Sequence, residues 1–346
     1  MIAYFPDIYP DELIYSQLLR YYINSGYNAY VHAAEELFGS HFILPNVEFL
    51  NFFTPNALQM ITRKMPIEDI ILNHTMFPYY GRFLLPERKR KVFCSLCSKE
   101  RGHFTPLQTP HQMDGVVRYL RYCPMCAARD RERYGETFWH RAHQIPNISS
   151  CPFHGCYLLN SSAPITKSRF SIENAAEVII PFSDTPKMAL DIEQQLSAYM
   201  WEVFQSDMNM NSNVIIGRFL HSRIENTKYC SARGAQRNIT ALYNDFIVFY
   251  DRLPDAHLPN FNLFQIVFRN YKASFYRICL LSMFLGISPH DLSNMILPQM
   301  SQAELFDKKV RDLRAQRVTY HEISKQLNVS RATAISSMKN NPYRFP

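Results

Sequence analysis

Two short clusters constrain this chain more than anything else in it. Cys-Pro-Met-Cys spans 123–126 and Cys-Pro-Phe-His-Gly spans 151–155, with twenty-four residues between Cys126 and Cys151. A Cys-x-x-Cys knuckle turns the backbone so that two sulfurs face one ion. Tetrahedral zinc needs four ligands at about 2.0–2.3 Å, and three cysteines with one histidine is a common structural set. Cys123, Cys126, Cys151 and His154 therefore read as one Zn2+ site, the ion favouring the thiolates at neutral pH. Four protein ligands leave no open coordination position, so the expected role is structural rather than catalytic. Zinc deaminases place a His-x-Glu before their Cys-x-x-Cys; no such motif precedes Cys123.

A competing partition stays open at this stage. Cys94 and Cys97 form another Cys-x-x-Cys, and an all-cysteine site from Cys94, Cys97, Cys123 and Cys126 has ordinary spacing but strands Cys151 and His154. Cys94 and Cys97 also read as plain reduced thiols, or as half of a second site completed by His103 or His111. Cys156 lies just past the second cluster, and Cys230 and Cys279 read as small buried apolar residues. The first thirteen residues carry two prolines and three acids rather than a basic-then-apolar export signal. The most apolar stretch, 264–286, is interrupted by Arg269, Lys272 and Arg277, which excludes a membrane span. The expectation is a cytoplasmic chain with reduced cysteines, where clustering points to metal rather than disulfides.

Between the knuckles runs RDRERYGETFWHRAHQIP, in which Arg129, Arg131, Arg133, Arg141 and His143 alternate with Tyr134, Phe138 and Trp139. Arginines among aromatics suit phosphate and groove contacts. They equally suit aromatics packed under a zinc module with solvated cations above. The basic run 87–91, ERKRK, carries the same ambiguity, and the net charge of +7 does not decide it.

Both ends read as helical pairs. Residues 11–26 place Leu13, Ile14, Leu18, Tyr21 and Tyr22 at helical spacing, with Asp11 as cap and Gly26 as stop. Residues 29–40 follow as a second short helix ending at Gly39, giving a helix-turn-helix-like unit. Residues 1–10 precede the cap, are flanked by prolines, and are expected to form an extended, mobile arm that docks into a partner's groove or dangles. Its candidate partner contacts are Phe5, Pro6, Tyr9 and Pro10.

At the other end a helix over 320–327, a turn at 328–329 and a helix over 331–339 form a helix-turn-helix pattern, with Ser330 as cap of the second helix. Ser330, Arg331, Thr333, Ser336, Ser337 and Lys339 are its candidate DNA contacts. A helical hairpin used only for packing has the same pattern.

Helices are expected over 190–204, 214–224, 239–250 and 264–285, and one short strand over 177–182. No phosphate-binding loop, dinucleotide fingerprint or nucleophile elbow occurs. The fold class is mainly α. Four parts are expected: a helical domain with its arm over 1–80, a zinc-finger module over 81–165, a helical domain over 166–300, and a C-terminal helix-turn-helix over 301–346.

Residues 5–26 resemble the opening of the TniQ family, with Pro10, Glu12, Leu13, Ser16 and Arg20 at the positions of its Pro–Asp/Glu–Leu–x–x–Ser pattern and early Arg. Residues 121–155 are similar to the zinc module of the TnsD branch, with its CPxC, RYGExFW and CPxHG elements at Cys123/Cys126, Arg133–Trp139 and Cys151/His154. Residues 263–286 are more loosely similar to a later helical segment. The second CPxC frequent in that branch is missing, Cys94 and Cys97 lie outside its pattern, and its members are usually longer at the C-terminus. The resemblance implies a non-enzymatic target-site selector of a bacterial transposon. Such a protein binds double-stranded DNA at an attachment site and recruits a TnsC-like AAA+ ATPase through its N-terminal region. The alternative is an adaptor joining a CRISPR effector complex to that ATPase.

Overall fold

A computed structural model describes residues 4–97, 118–165, 172–225, 227–231, 237–254, 257–268, 274–299 and 302–339, and it is mainly helical. Two compact units result: 1–213 with 274–280, and 214–273 with 281–346. The boundaries expected near 80 and 165 fall inside the first unit.

In that unit α1 (Ile14–Asn24) and α2 (Tyr30–Phe38) match the periodicity, and each ends at a glycine with positive φ, Gly26 at 71° and Gly39 at 67°. Short helices α3 (Pro55–Ile61), α4 (Ile67–His74) and α5 (Phe77–Gly81) follow, then α6 (Pro86–Cys97). The basic run lies on α6, where Lys89 alone turns inward; burial, aided by Arg82 and Arg90, lowers its pKa to about 8. The remainder of the unit comprises β1 (Tyr119–Tyr122), α7 (Pro124–Tyr134), β2 (Leu159–Pro164), α8 (Ala176–Ile179), α9 (Asp191–Gln205) and the helical residues 275–280. The strand expected over 177–182 is instead α8 and its exit, an apolar run too short for periodicity to separate the two.

Asp11 does not cap α1. It has φ of +60°, and its carboxylate accepts from the Ala142 N–H at 3.1 Å and faces Arg141, so it caps the turn at 142–144. The mobile arm is also corrected. Phe5 stacks on Tyr21 with centroids 5.1 Å apart, Pro6 is buried with its carbonyl accepting from Gln17 at 2.8 Å, and Tyr9 packs on Tyr134 and Phe138. Residues 4–10 are docked onto their own domain, because a short segment carrying three aromatics gains more from burial than it loses in chain entropy.

The second unit holds α10 (Ile216–Ile224), α11 (Ile239–Phe249) and α12 (Phe261–Gln265). The single helix expected over 264–285 is broken: α12 passes into a tighter turn over 266–268, and α13 (Phe275–Phe284) begins afresh. Beyond α14 (Pro289–Asn294), helices α15 (Gln302–Ala315), α16 (Tyr320–Gln326) and α17 (Arg331–Lys339) share a core of Phe306, Val310, Ile323 and Ala334. Thr319 and Glu322 form a capping box on α16, and the Ser330 hydroxyl accepts from the Thr333 N–H at 3.0 Å. No helix among the described residues is long and apolar enough to cross a membrane.

Candidate metal centre and nucleic-acid interface

The antiparallel ladder of β1 with β2, with Tyr122 opposite Leu159, brings the residue after β1 beside the loop before β2. Cys123 follows β1 directly and is the N-cap of α7, with Pro124 preset at the first helical position. Its Sγ accepts from the Cys126 N–H at 3.4 Å. The opposite knuckle closes through Gly155 N–H donating to the Cys151 carbonyl at 2.8 Å. Gly155 has φ of +67°, and a Cβ there would also displace the Gln194 side chain, so glycine completes this turn at the least cost.

Together the two turns place Cys123, Cys126, Cys151 and His154 with ligand atoms within 4.8 Å of one another. His154 Nδ1 lies 3.5, 3.3 and 3.7 Å from the sulfurs of Cys123, Cys126 and Cys151, and Cys126 and Cys151 are 3.7 Å apart. Edges of about 3.5–3.8 Å are what a tetrahedron with zinc-length bonds requires. Three thiols so close cannot all ionise unaided. Hydrogen bonds from Cys126 and Cys151 pull the Cys123 thiol down, while those with Cys123 and Cys151 push Cys126 up. A divalent cation is the charge that would hold all three as thiolates. The set is compatible with a structural zinc.

The competing partition does not form. Cys94 and Cys97 sit one turn apart on α6, exposed and half-buried, outside the cluster. His103 and His111 lie outside the described residues. Two groups missed from the sequence adjoin the cluster: Cys156 Sγ is 3.3 Å from Cys123, and the buried His143 Nε2 is 3.6 Å from Cys151. Burial, with the charged His140 beside it, keeps His143 neutral, so it is not a phosphate contact.

The two sequence motifs resembling the family lock together here. Leu13 N–H donates to the Trp139 carbonyl at 2.9 Å, and Trp139 N–H donates to the Ser16 hydroxyl at 3.1 Å. Arg20 bridges Glu12 and Glu136 at 2.9 and 2.8 Å, its guanidinium 3.8 Å from the centre of the Tyr9 ring. His140 lies between Asp130, at 2.6 Å, and Asp11, at 3.4 Å; burial opposes its protonation, but the two carboxylates win and raise its pKa to about 9.

A model of the TniQ family matches residues 3–158, the span holding both motifs and the cluster. The chain carries a TniQ domain. It is TnsD-like beyond that domain as well: over 210 residues it is 28% identical to the Transposon Tn7 transposition protein TnsD of Escherichia coli, a stretch covering 57% of this chain. That stretch is 39% of the relative's length, so the chain matches well under half of it.

The fold sorts the candidate DNA contacts. Arg129 and Arg133 are exposed on α7. Arg131 is spent internally, on Glu177 at 2.9 Å and the Ile180 carbonyl at 2.7 Å, and Arg141 is buried against Asp11 and the Leu72 carbonyl. Charge was expected on the outside; carboxylates and carbonyls 46 or more residues away in sequence draw these two inward. On α17 Arg331 is exposed, Thr333 and Ser336 are half-buried, and Ser330 is used as the cap. Ser337 is fully buried and donates to the Thr333 carbonyl at 3.1 Å, which removes it as a base contact. The Lys339 side chain lies outside the described residues. Of the four arm residues expected to meet a partner, Pro10 alone is exposed.

Proposed function

We propose that this chain is a target-site selector for DNA transposition. It binds double-stranded DNA and recruits a TnsC-like AAA+ ATPase, with a structural zinc in the Cys123–Cys126–Cys151–His154 cluster and no chemistry of its own. The observation that supports this most is the coincidence of the TniQ match with an interlocked core, in which the metal-holding knuckles and the N-terminal helices are one body. Zinc fixes α7, and α7 presents Arg129 and Arg133 to phosphates. Helices α16 and α17 pair as a helix-turn-helix, with Arg331, Thr333 and Ser336 facing the groove. The N-terminal region, with Pro10 and the 58%-exposed Tyr4, meets the ATPase.

The test is footprinting of the zinc-loaded chain on DNA flanking insertion sites at stated salt, with co-sedimentation of the ATPase. A protected site that gains ATPase supports the proposal; neither protection nor recruitment removes it. A second reading, an adaptor that joins an RNA-guided complex to the ATPase, is favoured by the burial of Ser337, which leaves α17 few side chains for reading bases. In that case recruitment survives while direct protection of DNA is absent.

A further inference from the structure

The geometry points to a second binding site, for an unstacked nucleotide, in a cleft beside the metal cluster. The inference rests on the nucleic-acid reading above and goes beyond it in naming what the cleft takes. A cavity of about 560 Å3 opens there, within the range of small-ligand sites. Tyr134, Phe138, Phe153 and Trp201 line it. Phe153 is 41% exposed although nothing about a core requires a phenylalanine at the surface, and it meets Trp201 edge to face at 5.4 Å.

Arg129 and Arg133, four residues apart on α7, stand on one face at the mouth. The Arg133 guanidinium is 5.2 Å from the centre of the Tyr134 ring, and that of Arg129 is 5.8 Å from Phe153. Arg129 also lies 3.8 Å from both Asp130 and the Cys126 sulfur. The carboxylates at the base are already matched, Asp130 by His140 and Asp11 by Arg141, so the charge offered to a ligand is positive.

Aromatic walls under a pair of guanidinium groups recognise a planar base with its phosphates. A paired base is shielded on both faces by its neighbours in the duplex, so the occupant is a base turned out of the stack, or one from a single strand. An acidic peptide satisfies the arginines but makes no use of four aromatic rings. DNA and RNA share the chemistry, and the experiment separates them.

Trp201 lines the cleft and Trp139 is fully buried with its indole N–H bonded to the Asn174 carbonyl, so ligand-induced quenching reports on Trp201. The zinc-loaded full chain is titrated with an oligothymidylate, an oligouridylate, an abasic oligomer of equal length, a blunt duplex and an oligoglutamate. Saturable quenching by oligothymidylate or oligouridylate, at least about tenfold tighter than by the abasic oligomer, is expected. Whichever of the two binds more tightly identifies the source. Trp201→Phe abolishes the signal, while Arg133→Gln and Phe153→Leu each weaken binding about tenfold with metal content unchanged. Equal binding of the abasic oligomer, or oligoglutamate competing as well as the oligonucleotides, overturns the inference. If no oligomer quenches Trp201 while duplex footprinting persists, the cleft proposal alone falls; if both fail, the nucleic-acid reading falls with it.

Discussion

Arg20 and Glu136, separated by 116 residues, meet at 2.8 Å, and the same guanidinium reaches Glu12 at 2.9 Å. Glu12 is fully buried, and burial pushes its pKa up to about 7 against the pull of Arg20, so above that pH Arg20 is what makes its charge tolerable there. Removing one partner of a buried pair leaves an uncompensated charge. Arg20→Met is therefore expected to destabilise the chain by about 3–5 kcal/mol at pH 8 and by less below about pH 7, where Glu12 takes up a proton instead. Glu136 is about one-third exposed, and Glu136→Gln is expected to cost about 1 kcal/mol. Urea unfolding followed by circular dichroism checks both, and equal costs would mean that Glu12 is not the residue at risk.

The metal proposal predicts one zinc per chain by elemental analysis. Cys151→Ser and His154→Ala are each expected to abolish stoichiometric binding, whereas Cys94→Ser and Cys97→Ser leave it intact, since those thiols lie on α6 away from the cluster. Chelation is expected to lower the unfolding midpoint, because the free energy of metal binding is also folding free energy. Retention of one zinc by the Cys151→Ser protein would shift the site to the neighbouring Cys156.

Helix limits and the Cys/His cluster were legible in the sequence because both are local. Gly26 and Gly39 stop α1 and α2, Ser330 starts α17, and each half of the cluster is set by a turn of four residues. What sequence could not show was long-range pairing. Whether Arg131 and Arg141 face water depends on Glu177 and Asp11, and no periodicity around an arginine reveals a carboxylate 46 or 130 residues away. The arm failed for the same reason. Pro6 and Tyr9 look like linker residues until Gln17 and Phe138 are placed beside them.

His74 predicts the acid limb of stability. Its Nδ1 lies 2.8 Å from the Glu12 carbonyl, and burial lowers its pKa from 6.5 to about 4. The folded chain thus holds this ring neutral while the unfolded chain protonates it. The contribution is present above about pH 6.5 and is lost as pH falls towards 4. The full shift corresponds to about 3 kcal/mol. His74→Asn keeps a donor to the Glu12 carbonyl and removes the titration. The loss of stability between pH 7 and pH 4.5 is expected to be shallower in the variant by up to that amount. Proton competition for the zinc ligands is common to both proteins and cancels in the difference; parallel curves would show that His74 titrates normally.

The C-terminal pair offers a test that separates reading from holding. Arg331 is exposed at the start of α17, Ser330 caps that helix, and Ser337 is buried beneath it. Arg331→Ala removes a cation and nothing from the core, so stability should be unchanged. DNA binding should fall by about 1–3 kcal/mol at one base position if the contact is to a guanine edge. If the contact is to a phosphate, binding should instead weaken uniformly across sequences, with the salt slope reduced by about one. Ser330→Ala should cost about 1 kcal/mol of stability through the lost cap and lower affinity only as far as α17 frays. Ser337→Ala removes a hydroxyl already spent on the Thr333 carbonyl and should leave base preference untouched. Binding isotherms on a mutated-site panel at two salt concentrations decide among these. If Arg331→Ala changes neither affinity, base preference nor salt slope, α17 does not enter the groove, and the helical pair serves packing or a protein partner instead.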